Sequence, residues 1–270
     1  MGQTKYALIT GASAGLGACF AQQLAQRGWS LILIARRTDR LQQLAQQLQH
    51  QHNIDAQIIT ADLAQADAAQ KIYQHCQTQQ WSVAMLVNNA GYGLPGDFDE
   101  PSWPQHQAQL NVMLNSLVEL TYLFYPAMKK ARYGRIIQVA SLAGLAPPTA
   151  GHTLYAPMKS FVIKFAHSLH LEGKDFGVHV SALCPGFTYT EFHDANGTRH
   201  RMNKLSKSLW MSADEVVAEG IAAVEANKAV KINGWRNQLI ALMTRLLPDK
   251  IIRALFQKNI NKYRKRSNES

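Results

Sequence analysis

Lys5-Tyr6-Ala7-Leu8-Ile9-Thr10 runs directly into Gly11-Ala12-Ser13-Ala14-Gly15-Leu16-Gly17, and this stretch decides the fold. The first six residues form a short apolar run of strand length. Leu16–Arg27 then carries apolar residues at helical spacing. A strand, a glycine-rich turn and a helix start in that order make a seat for a dinucleotide pyrophosphate. Glycine lets the backbone turn tightly and approach the phosphates, and the helix N-terminus offers free N–H donors and a favourable dipole. The spacing is Gly-x-x-x-Gly-x-Gly, which differs from the commonest dinucleotide fingerprint. Gly11, Ser13, Gly15, Leu16 and Gly17 are therefore candidate cofactor contacts.

Outward from this turn, apolar runs and helical segments alternate. Lys5–Thr10, Ser30–Ala35, Ala56–Thr60, Val83–Asn88, Arg135–Ala140 and Val178–Leu183 predict buried strands, rich in Ile, Val and Leu with little polar alternation. Leu16–Arg27, Asp39–His52, Ala64–Gln79, Gln105–Lys130 and Leu154–Asp175 predict helices between them. The glutamine-rich stretch Leu41–Gln51 is an ordinary amphipathic helix, because Leu41, Leu44 and Leu48 share one face. Strict alternation predicts an α/β fold, a doubly wound parallel sheet of the Rossmann kind. No repeat or Pro/Gly/Ser linker divides the chain, so one domain is expected. Past residue 186 the alternation fades. Ala213–Asn227 predicts a helix capped by Ser212, and Gln238–Lys265 predicts two more, broken at Pro248.

Composition narrows the function. With 47% hydrophobic and 17% charged residues, the chain is globular. Three cysteines, odd in number and without a CxxC pair, predict reduced thiols, no metal and a cytoplasmic protein. No signal peptide or membrane span is expected. The net charge of +10 collects partly around Arg199–Lys207 and Lys258–Arg266. Without a zinc-finger spacing it reads as a solvated basic surface, not a nucleic-acid site.

The second strand selects the nucleotide. A site preferring NAD places a carboxylate near its end for the ribose 2′-hydroxyl. Here the strand ends Ala35-Arg36-Arg37, and a guanidinium pairs with a 2′-phosphate. NADP(H) is the expected cofactor, with Arg36 and Arg37 as contacts.

Further along stand Asn88-Asn89-Ala90-Gly91, Asn111, Ser141, Tyr155-Ala156-Pro157-Met158-Lys159 and Pro185-Gly186. With the turn at Gly11–Gly17, this series resembles the short-chain dehydrogenase/reductase family, firmly over residues 5–190 and loosely beyond. The resemblance implies an NADPH-dependent oxidoreductase acting on a ketone, an aldehyde or the corresponding alcohol. It makes Asn111, Ser141, Tyr155 and Lys159 the catalytic set, with Asn111 holding a water that links the lysine to solvent. Asp62 and Leu63 match its adenine-contacting position. Asn89, Ala90 and Gly91 face the adenosine side of the cofactor, and Lys159 also holds the nicotinamide ribose. Pro185, Gly186 and Thr188 lie where the family's backbone meets the nicotinamide amide, and Thr190 falls near that amide or the pyrophosphate. Relatives commonly form dimers or tetramers.

The chemistry also stands on its own terms. Carbonyl reduction needs a hydride at carbon and a proton at oxygen. A phenol, with its ordinary pKa of about 10, gives a proton readily but is a poor base in the reverse direction. Tyr155 and Lys159 are four residues apart on one helix face, so the ammonium is expected to lower the phenol pKa. Ser141, just past its strand, is placed to hold the substrate oxygen.

Two departures from the family pattern stand out. Pro157 and Met158 replace the usual Ala and Ser between tyrosine and lysine, and Pro157 predicts a helix beginning close to Tyr155. The Ser141–Tyr155 loop, with Pro147-Pro148, is longer by about one residue than expected. A substrate lid is expected at about 187–211, where Phe187, Tyr189, Phe192 and Trp210 suggest an apolar substrate body and His193, Arg199, His200 and Arg201 an anionic end. A C-terminal helical extension is expected at about 232–266, packed onto the main domain in preference to a membrane surface. The alternative function is a non-catalytic NADP(H)-binding sensor, although a sensor needs no proton donor.

Overall fold

The structure, a computed structural model, describes residues 4–147, 150–151, 153–191, 209–248 and 250. Its centre is a seven-stranded sheet in the order β3-β2-β1-β4-β5-β6-β9, with every pairing parallel. The strands are β1 (Lys5–Thr10), β2 (Ser30–Ala35), β3 (Ala56–Thr60), β4 (Ser82–Asn88), β5 (Gly134–Val139), β6 (Val178–Cys184) and β9 (Val230–Ile232). The helices α1 (Gly15–Gln26), α2 (Thr38–His52), α3 (Ala68–Thr78), α4 (Trp103–Leu110), α5 (Ser116–Lys130), α6 (Tyr155–Gly173) and α7 (Ala213–Glu225) cover its two faces. The doubly wound Rossmann-type sheet expected from the alternation is present. Its strand order reverses between β1 and β4, the point beyond whose carboxyl strand ends sheets of this kind hold a ligand.

The apolar runs are continuous because each strand feeds two cores. Tyr6 and Leu8 of β1 join Ile32, Leu86, Phe124 and Val162 on one face. Ala7 and Ile9 join Phe20, Leu33, Leu48 and Val217 on the other. Side chains alternate along a strand, so burial on both faces favours apolar residues at successive positions.

Four local features differ from the sequence expectation. Helix α3 starts at Ala68 and not Ala64, because the Asp62 carboxylate accepts the Ala64 N–H at 3.1 Å and holds a turn there. The long helix over Gln105–Lys130 is interrupted by a π-turn, Asn111–Asn115, between α4 and α5. The lid region, expected as loop, is anchored by a parallel ribbon of β7 (Phe187–Tyr189) and β8 (Trp210–Ser212). The rings of Tyr189 and Trp210 stack there at 4.8 Å. Finally, Ile232 closes strand β9, and the extension starts as helix α8 (Trp235–Leu246), three residues before Gln238. Strands of three residues leave no readable period.

Other expectations are met. Ser212 caps α7 in a reciprocal box with Glu215. Helix α6 begins at Tyr155 with Pro157 in its first turn. Leu247 leaves helical geometry immediately before Pro248. The second extension helix and residues 192–208, which include Phe192, His193, Arg199, His200 and Arg201, lie outside the described residues. Among the described residues, no helix is long and apolar enough to cross a membrane.

Candidate active site

The glycine-rich turn joins β1 to α1 at the switch point. Gly11 and Gly15 hold positive φ angles of 67° and 54°, which other residues rarely adopt. Gly17 sits where the turn doubles back. A Cβ there would collide with the Gly11 carbonyl oxygen and lie 2.7 Å from the Asn89 amide nitrogen. The neighbouring strand end locks the turn: Asn89 Nδ2 donates to the Thr10 carbonyl at 2.9 Å, and the N–H groups of Asn89 and Ala90 donate to Thr10 Oγ1. Gly17→Ala is expected to destabilise the fold by about 1–3 kcal/mol, since backbone groups cannot move aside as a side chain can. A denaturant melt measures this, and a nucleotide titration of the surviving folded protein should show weakened binding.

The residues around the turn suit a dinucleotide. Thr190 lies against Gly15, its Cβ 3.3 Å from where a Cβ on that glycine would stand. Arg37 donates to Ser13 Oγ at 3.0 Å and 3.2 Å, bringing the end of β2 onto the turn. The Glu191 carboxylate rests on Arg40 at 2.9 Å and near Arg37 at 3.6 Å. Arg37 and Arg40 thus already accept an anion at the rim. Arg36 is exposed, and its charge, like that of Asp62, reaches Tyr92. Leu63 is buried beside them. Arg40 and Glu191 escaped the sequence reading, since neither lies in a motif and they are 151 positions apart.

The second cluster lies at the ends of β4, β5 and β6. Ser141 follows β5 by two residues and starts a single 3-10 turn, Leu142–Gly144, with its hydroxyl accepting the Ala143 N–H at 3.1 Å. Gly144 packs so closely on α6 that a Cβ would stand 2.6 Å from the Lys159 carbonyl carbon. Ser160 Oγ donates to the Gly144 carbonyl at 2.7 Å. This contact fixes Ser141 relative to α6, and its side chain hydrogen-bonds the Tyr155 hydroxyl. One turn along, Lys159 is buried, and its Nζ donates to the Val139 carbonyl at 2.7 Å. That Nζ lies 5.7 Å from the centre of the Tyr155 ring and near Gly91.

Burial governs the protonation states. Desolvation pushes the Tyr155 phenol up to about 12, opposed by its bond to Ser141. The lowering expected from the lysine does not appear: burial sets the shift, and Ser141 alone opposes it. Desolvation pulls the Lys159 ammonium down to about 8, opposed by Cys184. The Cys184 thiol is itself pushed up to about 12 by burial. A protonated phenol and a reluctantly charged lysine share the pocket at neutral pH.

Asn111 sits apart from this pair. Its amide nitrogen donates to the Ala64 carbonyl at 2.8 Å, and its Oδ1 accepts from Asn115 at 2.8 Å. The first bond holds the π-turn against the β3–α3 connection, and the second ties the two ends of the turn together. Asn88 braces the sheet, donating to Thr121 and Gln138 at 3.0 Å. At the end of β6, the Pro185 carbonyl accepts the Leu142 N–H at 2.9 Å, and Thr188 is buried with its hydroxyl on the Gly186 carbonyl. The cluster can hold an oxygen atom, deliver a proton to it and stabilise the resulting phenolate. The three cysteines are buried free thiols, and no group of three or more His, Cys, Asp or Glu side chains among the described residues could hold a metal.

A nucleotide crevice beside a Ser-Tyr-Lys cluster defines a dehydrogenase-type site. Residues 5–200 match the sequence profile described as short chain dehydrogenase, and the chain belongs to that oxidoreductase family. It is 31% identical to a very-long-chain 3-oxoacyl-CoA reductase of Anas platyrhynchos over 208 residues, covering 75% of this chain and 62% of that protein. The match thus spans about three fifths of that relative's length. Over 254 residues it is 29% identical to the 17-beta-hydroxysteroid dehydrogenase type 3 of Mus musculus, covering 93% of this chain and 78% of that protein. A solved short-chain dehydrogenase from Sphingobium yanoikuyae, in complex with NADPH, superposes with a TM-score of 0.80 at 26% identity, covering 99% of this chain and 98% of that one.

Proposed function

We propose that this chain is an NADP(H)-dependent oxidoreductase that reduces a ketone or aldehyde, or oxidises the corresponding alcohol, with Tyr155 as proton donor and acceptor. The observation that carries this reading is the hydrogen bond between Ser141 and Tyr155, one helical turn from buried Lys159. The bound nicotinamide supplies the hydride. Ser141 holds the carbonyl oxygen beside the phenol. The Tyr155 O–H then breaks, its proton passes to that oxygen, and an alcohol forms. Lys159 steadies the phenolate left behind until solvent returns the proton. Asn111 acts as a positioning residue here, holding the π-turn to the Ala64 carbonyl of the β3–α3 connection. The phenol stays protonated at neutral pH, the form that donates in the reducing direction.

Gly11, Ser13, Gly15, Leu16 and Gly17 would hold the pyrophosphate, with Asp62, Leu63, Asn89, Ala90 and Gly91 along the adenosine side. Pro185, Gly186, Thr188 and Thr190 would face the nicotinamide end. Preference for NADP(H) rests on Arg36 and Arg37, and the Glu191 carboxylate on Arg37 and Arg40 supports it by showing an anion accepted there. Arg36→Asp and Arg37→Ala are each expected to weaken NADPH binding about tenfold or more, the worth of one charge-assisted hydrogen bond. NADH binding should stay within about twofold. Fluorescence titration of both nucleotides checks this, and equal losses for both would remove the 2′-phosphate reading.

The substrate is read as having an apolar body, consistent with the very-long-chain 3-oxoacyl-CoA and the 17-beta-hydroxysteroid named in the relatives. We read the chain as one cytoplasmic domain that works as a homo-oligomer. The experiment is a panel of ketones, aldehydes and 3-oxoacyl compounds, following NADPH absorbance. If no compound is reduced while NADPH still binds, the sensor reading replaces this one.

A further inference from the structure

Helix α8 shows two opposite faces. One docks onto the body: Asn237 is buried with its amide on the Asn233 carbonyl at 2.7 Å and packs against Gly186, while Thr244 Oγ1 donates to the Leu145 carbonyl at 3.1 Å. The other face carries Trp235, Leu239, Leu242, Met243 and Leu246, each between 38% and 70% exposed. At 3.6 residues per turn these five fall within an arc of about 100°. Arg236 and Arg245 stand on either side of the stripe, both exposed, with the Arg236 guanidinium over the Trp235 ring at 5.1 Å. The helix is therefore held with its apolar stripe outward and a cation along each edge.

We propose that this face seats the protein on an anionic lipid surface, with the stripe in the headgroup boundary and the arginines against lipid phosphates. An amphipathic helix bearing Trp and Leu on one side, with arginine flanks, has the pattern of an interfacial anchor. Charge selects this occupant over the alternatives. A second copy laid stripe to stripe would flank the apolar seam with arginines alone, since α8 carries no carboxylate to pair them. The chain's own residues 251–270 hold Arg253, Lys258, Lys262, Arg264, Lys265 and Arg266 against a single carboxylate, Glu269. That segment matches the sign of the stripe's flanks, and it adds to attraction toward anionic lipid.

The location gives the contact a use. Asn237 packs against Gly186, and Thr244 bonds Leu145, four residues after Ser141, so α8 roofs the end of the candidate active site. Docking there would bring the mouth of the site to the bilayer, from which an apolar carbonyl compound enters without crossing water. That last step rests on the proposed substrate class; the lipid contact itself does not.

Flotation of the full chain with vesicles tests the contact. With vesicles of phosphatidylcholine containing about a third phosphatidylglycerol, wild type should float about tenfold more than with phosphatidylcholine alone, and high salt should release it. Leu239→Glu with Leu246→Glu should lower flotation about tenfold, with the thermal melt and NADPH-dependent reduction of a water-soluble ketone retained. Should that pair fail to fold, Arg236→Gln with Arg245→Gln should weaken binding to anionic vesicles and flatten its salt dependence. The proposal is overturned if wild type stays unbound, if the folded variants float like wild type, or if the glutamate pair instead turns a dimer into a monomer. Loss of reductase activity with flotation intact would count against the enzyme reading and leave the lipid contact standing.

Discussion

Tyr155→Phe is expected to bind NADPH within about twofold of wild type and to lose carbonyl reduction by about 10²–10⁴-fold, the usual contribution of a positioned proton donor. The substitution removes one oxygen and its proton. It leaves the ring in place at the start of α6, with Lys159 on the Val139 carbonyl and Ser141 on the Ala143 N–H. No backbone contact of the nucleotide turn is touched. The loss should therefore appear in kcat, with KM for NADPH nearly unchanged. Equal loss of NADPH binding would mean that the phenol holds the cofactor rather than the reacting oxygen.

Lys159→Met is expected to make the ligand-free protein more stable at pH 7 while lowering activity by a comparable factor. The ammonium is buried and its pKa falls from 10.5 to about 8, so the fold resists the charged form. That shift corresponds to about 3 kcal/mol held against folding at neutral pH, offset in part by the lost bond to Val139 at about 1 kcal/mol. The pH dependence fixes the sign. Below pH 8 both folded and unfolded lysine bind the proton, and the penalty is constant. Between pH 8 and 10.5 the unfolded chain binds it and the folded one does not, so wild-type stability rises with pH on this account. The variant lacks that rise, so its advantage should shrink across this window. Cys19 and Cys76 also titrate at shifted values, but they are common to both proteins and cancel in the difference; Cys184 is coupled to Lys159, and losing the cation raises its thiol further, which adds to the shrinkage. Urea melts at several pH values provide the measurement. A variant less stable than wild type throughout would mean that the Val139 bond outweighs the buried charge. Stability held down at a functional lysine is an expected trade.

The six long strands and the site cluster were legible in the sequence for definite reasons. β1, β2 and β3 begin and end where the apolar runs do, because Ala, Ile and Leu fill most of the positions that feed the two cores. Tyr155 and Lys159 could be paired from spacing alone, since one helical turn separates them. Contacts between distant segments were not legible. Nothing local marks the Val139 carbonyl as the partner of Lys159, Thr10 as the clasp on Asn89, or Glu191 as the partner of Arg40. The π-turn at Asn111 was hidden because no glycine or proline falls within Asn111–Asn115 to mark a break in the helical spacing. The raised phenol pKa was not legible because sequence shows the neighbouring lysine but not the depth of burial, and burial is the leading cause here.

The most direct test supplies NADPH deuterated at the transferable position of the nicotinamide, together with each carbonyl compound of the panel, and examines the alcohol by mass spectrometry. The account predicts that at least one compound acquires a single deuterium on its carbinol carbon, one for each NADPH oxidised, with wild type and not with Tyr155→Phe. Tight NADPH binding without deuterium in any product would contradict it.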